Sequence, residues 1–180
     1  MQLPSGPARI LGALHHRNFA IYTLGNAVSL TGTWMQRVAI GWLTWELTHS
    51  GLWLGIISFA DLFPSLIVGP IAGAAADRWD RLRVTRVSQA LAMIHSVVLF
   101  ALTAMGWITI ELLLGLTLYL GVVIGFNQPA RMALVPALVP REQVPTALAT
   151  NSIIFNSARF VGPAAAGLAI VWGGVAVAFL

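Results

Sequence analysis

Apolar residues in this chain run on without the alternation that would give a helix or a strand one wet face. Five mostly apolar stretches, at about 19–47, 52–76, 84–106, 112–134 and 147–172, are separated by short polar breaks, and a sixth begins near Ala176. Each full stretch reaches the ~20 residues with which a helix crosses the hydrocarbon of a bilayer. Lipid supplies no partner for an open backbone group, so such stretches close their hydrogen bonds internally as helices; a barrel would show ~10-residue alternating segments instead. The pattern therefore predicts an all-α polytopic membrane protein. It has a polar leading segment over residues 1–18 and a helical bundle over 19–180, with five full helices and the start of a sixth.

Composition agrees with the pattern. Hydrophobic residues make up 58% of the chain, charged residues 9%, and mean hydropathy is +0.83, against about 25% charged residues in a soluble domain. The isoelectric point near 11.1 would point to nucleic acid in a soluble protein. Here, however, the arginines flank apolar stretches and form no single basic face, so nucleic acid is excluded as a partner. There is no cysteine, which removes disulfides, thiolate metal sites and cysteine nucleophiles. No metal site or cofactor is expected.

The arginines also set an orientation. Arg9 and Arg17 precede the first stretch, Arg78, Arg81, Arg83 and Arg86 lie around the break between the second and third, and Arg131 and Arg141 lie between the fourth and fifth. The other breaks, 48–51, 107–111 and 173–175, carry none. Positive loops stay on the cytoplasmic side, so the N-terminus and the two arginine-bearing connections are expected there. Trp45, Trp53, Trp107 and Trp172 then fall at the opposite interface, where an aromatic belt belongs. The expected location is a bacterial inner membrane, with membrane lipids as partners.

Small residues mark expected close approaches: Gly69 and Gly73 in the second helix, Gly121 and Gly125 in the fourth. The fifth carries Gly162-Pro163-Ala164-Ala165-Ala166-Gly167, which predicts a kinked, tightly packed helix.

Three charges fall at membrane depth, where an ionisable group costs ~3 kcal/mol and needs a partner, a wet cavity or a task. Arg37 lies roughly 15 Å from the outer end of the first helix and Asp61 roughly 14 Å from the outer end of the second, so the spacing predicts an Arg37–Asp61 pair. That pair is either a fixed neutralising contact or a proton-coupling site. Arg159 lies about 20 Å into the fifth helix. Ser152, Asn156, Arg159 and Pro163 follow three- and four-residue steps and share one face, expected to line a cavity. His95 reads as a packed, hydrogen-bonded histidine. Arg131 falls near the cytoplasmic surface and receives no role in the cavity.

The stretch Gly73-x-x-x-Asp77-Arg78-x-Asp80-Arg81-x-Arg83 resembles the loop signature of the major facilitator superfamily. Asp80 stands where that signature has glycine, and Leu82 where it has a basic residue. Gly162-Pro163-x-x-x-Gly167 resembles the superfamily's antiporter motif. Arg17-Asn18-Phe19, Gly32 to Arg37, Asn127-Gln128-Pro129-Ala130-Arg131 and Asn151-Ser152 are similar to the branch containing macrolide efflux proteins and the enterobactin exporter. The resemblance implies a fold of twelve helices in two halves with the substrate between them. The chain is then the N-terminal half of a major facilitator fold, its C-terminal half absent. It also implies a gating loop of Gly73, Asp77, Arg78, Asp80, Arg81 and Arg83, in which Asp77 latches against that half.

The resulting expectation is a secondary transporter and not an enzyme: a proton-coupled exporter of a small molecule, drug-like or siderophore-like, working by alternating access. No G-x-x-x-x-G-K stretch is present to bind ATP. Two alternatives stay open. One is a truncated, non-transporting membrane protein that acts by association. The other is an intramembrane transferase holding magnesium between Asp77 and Asp80, which four neighbouring arginines disfavour.

Overall fold

The computed structural model describes residues 15–76 and 79–179. Five α-helices occur among them: α1 Arg17–Thr48, α2 Gly51–Ala76, α3 Arg81–Ala104, α4 Ile110–Leu134 and α5 Val144–Val177. Two 3-10 turns, Val135–Leu138 and Arg141–Gln143, join α4 to α5. All five predicted stretches are helices.

Local chemistry explains the ends. His49 closes α1 in the left-handed conformation (φ 47°), its N–H donating to the Trp45 carbonyl. Asp80 accepts from the Arg83 N–H at 2.9 Å and caps α3, while Thr109 caps α4 by accepting from the Leu112 N–H. Each cap satisfies a backbone donor that the first turn leaves open.

Four of the helical stretches, 51–74, 81–104, 110–138 and 141–177, are long and apolar enough to cross a membrane. The predicted first span differs. At 32 residues α1 has ample length, but it carries polar groups along its buried face, Asn26, Gln36 and Thr44 among them. Its polarity faces its neighbours. At the predicted start of a sixth helix, α5 breaks at Gly174 (φ 79°, ψ 170°), helical backbone resumes as far as Val177, and Ala178 and Phe179 join the core.

Two of the three closest helix pairs are not consecutive in sequence. The closest partners are α2 with α4, α1 with α5, and α3 with α4. Two glycines carry the contact of α2 with α4. A Cβ at Gly121 would meet the Pro64 ring at 3.0 Å and the Asp61 carbonyl oxygen at 3.1 Å, and one at Gly125 would meet Ser65 and Val68 at 3.2 Å. These two residues form the close approach expected of them. Gly69 and Gly73 do not, because nothing stands within 4 Å of either position.

The apolar core is divided in two. One cluster, including Ile40, Leu43, Leu99 and Leu113, gathers at the tryptophan end, and a smaller one of Phe19, Val135 and Ala147 sits at the arginine end. Polar side chains occupy the level between them.

Candidate functional site

The intermediate level is built on α1. Its residues Trp34 and Arg37 are one helical turn apart and share a face. Arg37 Nε lies 3.0 Å from Asp61 Oδ2 on α2, and this is the salt bridge among the described residues. The Nε–H is not directed at the carboxylate, so charge attraction holds the pair and a directed hydrogen bond does not. Both side chains keep some access, 31% for Arg37 and 18% for Asp61. The predicted pairing is therefore present, and both side chains remain partly exposed.

Arg159 on α5 joins the same level through Trp34. The guanidinium carbons of Arg37 and Arg159 lie 4.9 and 5.5 Å from the Trp34 ring centroid, within the ~6 Å at which a cation is attracted to an aromatic face. Phe155, one turn from Arg159, meets the ring edge-on at 5.9 Å. Two cations thus share one indole, and a single carboxylate offsets one of them. Trp34 did not stand out in the sequence reading, although a tryptophan three residues before an intramembrane arginine is the signal that finds it.

Close packing positions this layer. At Gly162 a Cβ would fall 2.5 Å from the Trp34 Cβ and 2.9 Å from the Thr31 carbonyl oxygen, so α5 rests directly on α1 beneath Arg159. Gly121, pressed on the Asp61 carbonyl, fixes the backbone that carries the acid. The expected kink at Pro163 is not where the helix breaks: backbone angles stay helical there and depart at Gly174. Gly167 touches nothing within 4 Å. The buried partner of Gly162 is instead Ala166, one turn on.

Behind the charges runs a buried hydrogen-bonded group. Gln36 Nε2 lies 3.1 Å from His95 Nδ1 and donates to Ser96 Oγ at 3.2 Å, tying α1 to α3. His95 is buried and stacks on Tyr119, as expected of a packed histidine. Toward the arginine end Asn26 Nδ2 donates to Asn151 Oδ1 at 3.0 Å, tying α1 to α5. Both residues lie seven to nine positions into parallel helices, which gave matching depth but no sign of adjacency.

The predicted cavity face of α5 is split. Arg159 meets Trp34, whereas Ser152 and Asn156 line a cavity of about 220 Å³ with Gln128, Arg131 and Asn151. In the loop region, Gly73 is on α2 with open space beside it, and Asp77 and Arg78 lie outside the described residues. Asp80 caps α3 and makes no salt bridge among the described residues. Arg81 Nη1 donates to the Ala133 carbonyl at 3.2 Å, at the end of α4. Arg83 contributes its backbone N–H to the cap, its side chain exposed. Trp79 stacks on Phe126 at 6.3 Å.

The family model described as transmembrane secretion effector matches residues 9–180. The staphyloferrin A transporter of Staphylococcus aureus is 29% identical over 138 residues, 76% of this chain and 35% of the relative. Macrolide efflux protein A of Streptococcus pyogenes is 28% identical over 153 residues, 82% of this chain and 37% of the relative. The chain therefore spans about a third of the length of the curated relatives it matches. No solved structure matches.

Proposed function

We propose, since the chain belongs to the transmembrane secretion effector family of the major facilitator superfamily, that it forms the first half of a proton-coupled exporter of a small molecule. The family is one of transporters and not of enzymes, and the chain is a multi-pass membrane protein. The proposed setting is a bacterial inner membrane, with the N-terminus and the arginine-bearing connections cytoplasmic. Relatives named for a siderophore and for macrolides support a small organic substrate.

The observation that carries the reading is the partly open Arg37–Asp61 pair beside Arg159 on Trp34. A charged layer at membrane depth is costly and is kept for a task. Ionised, Asp61 neutralises Arg37 and leaves the net charge of one guanidinium. Protonated, it releases Arg37 and leaves two. Substrate affinity then differs between the two protonation states, which is the condition for coupling, and the influence is reciprocal. Exchange of proton for substrate requires the substrate to bind more tightly while Asp61 is ionised.

In the proposed cycle a second half, beyond Leu180, closes the cavity alternately on each side. Gly73, Asp77, Arg78, Asp80, Arg81 and Arg83 form the cytoplasmic gate region, and the Gly162–Ala166 seam is the packed surface on which α1 and α5 move together. The test is uptake of labelled candidate solutes into everted vesicles of the intact transporter, with and without an imposed proton gradient. Gradient-driven accumulation is expected; accumulation indifferent to the gradient removes the coupling.

A further inference from the structure

The cavity between α4 and α5 at the arginine end is chemically distinct from the charged layer. Arg131 Nε is buried there without a hydrogen-bond partner, and the described residues place no carboxylate within salt-bridge distance of the side chain. The amides around it are set to donate. Asn151 Oδ1 is occupied by the Asn26 amide, which leaves the Asn151 NH2 for the cavity. Asn156 spends one N–H on the Ser152 carbonyl and keeps a second, and Gln128 lines the same space. Met132 and Phe155 supply an apolar wall. The Tyr22 hydroxyl stands beside Arg131; a guanidinium that shares a cavity with three side-chain amides matches an oxyanion, and the wall asks for an apolar body beside it. At about 220 Å³ the space is below the ~300 Å³ at which pockets begin to hold whole drug-sized molecules, so it takes one head group.

We infer that this cavity is a binding site for the oxyanion head, carboxylate or phosphate, of an amphipathic anion, with Arg131 as its charged contact and Asn151, Asn156 and Gln128 as its donors. The site lies at the opposite end of Phe155 from Arg159 along α5. It goes beyond the transport reading, because occupancy can be measured without turnover. The anion comes from one of two sources, a solute or the headgroup of an acidic lipid.

The experiment uses the intact transporter in nanodiscs of phosphatidylcholine, with benzoate as the probe and benzamide as its uncharged isostere. Benzoate binding at least tenfold tighter than benzamide, weakened tenfold or more in Arg131→Gln and several-fold in Asn151→Ala, supports the site with a solute as source. Phosphatidylglycerol that competes with benzoate in the wild type, and is retained less by Arg131→Gln, supports it with a lipid headgroup as source. Benzoate and phosphatidylglycerol binding that are both unchanged in Arg131→Gln, in a variant that elutes as a single folded species, overturn the inference. A carboxylate from the second half of the protein held on Arg131 gives that same overturning result. Should Arg131-dependent binding persist while no solute is transported, the transport reading alone falls.

Discussion

Arg37 of α1 and Asp61 of α2 stand 3.0 Å apart at the level that separates the two apolar clusters of the bundle. Neither side chain is fully buried. The pair is thus worth more than an exposed salt bridge, about 0–1 kcal/mol, and breaking it costs less than the ~3–5 kcal/mol of a fully buried one. Removing one partner leaves a lone charge at membrane depth. Arg37→Gln and Asp61→Asn are each expected to lower thermal stability in detergent by about 1–3 kcal/mol, with the double variant less destabilised than the sum. Additive losses would mean that the two side chains do not interact.

The two glycines of the antiporter-like motif differ in what surrounds them. At Gly162 a methyl group meets the Trp34 Cβ and the Thr31 carbonyl, neither of which can move without shifting α1. Gly162→Ala is expected to cost about 1–3 kcal/mol through overpacking. Gly167→Ala meets open space and is expected to be neutral or to gain up to ~1 kcal/mol of helix propensity. Paired melting curves of the two variants decide it, and equal effects would refute the packing assigned to Gly162.

The Arg37–Asp61 pair was legible because rise per residue turns sequence position into depth, and adjacent antiparallel helices must meet. That the apolar stretches are helices was legible for the same reason that hydropathy works: lipid tolerates no open backbone. Contacts between distant helices were not legible. Nothing in the sequence says that α1 lies on α5, so the Asn26–Asn151 and Arg159–Trp34 contacts could not be drawn. Which glycines face a neighbour is also set by the rotation of each helix, and this is why Gly121 packs and Gly69 does not. Arg131 was judged by depth alone, which located it near the surface but could not show the cavity beside it.

Asp80 offers a separation of two roles by one atom. As a cap it needs an oxygen that accepts from the Arg83 N–H; as an ion-pair partner it would need its charge. Asp80→Asn is expected to keep most of the stability and Asp80→Ala to lose about 1 kcal/mol. Equal losses in both variants would show that Asp80 acts through its charge and not through the cap.

Gln36 and His95 are both buried and face each other across α1 and α3. Truncating one strands the other's polar atom, at about 1–3 kcal/mol, while replacing both with apolar residues removes the need for either. Gln36→Leu and His95→Leu singly are expected to destabilise more than the Gln36→Leu, His95→Leu double variant. A double variant as unstable as the sum of the singles would show that Gln36 and His95 pack independently.

Arg159 separates function from folding most sharply. It makes no salt bridge among the described residues, and its contact with the protein core is the Trp34 face at 5.5 Å. An exposed contact of that kind contributes about 0.5–1 kcal/mol, and losing an uncompensated charge from membrane depth offsets part of it. Arg159→Gln is therefore expected to leave the melting temperature nearly unchanged. If the layer of Arg37, Asp61 and Arg159 recognises or couples substrate, the same variant lowers transport at least tenfold, because that layer loses its uncompensated charge. Arg37→Gln should lower both stability and transport, since it strands Asp61. Transport in vesicles and melting in detergent, measured on the same preparations, give the four numbers needed. Full transport activity in Arg159→Gln would confine the charged layer to a structural task.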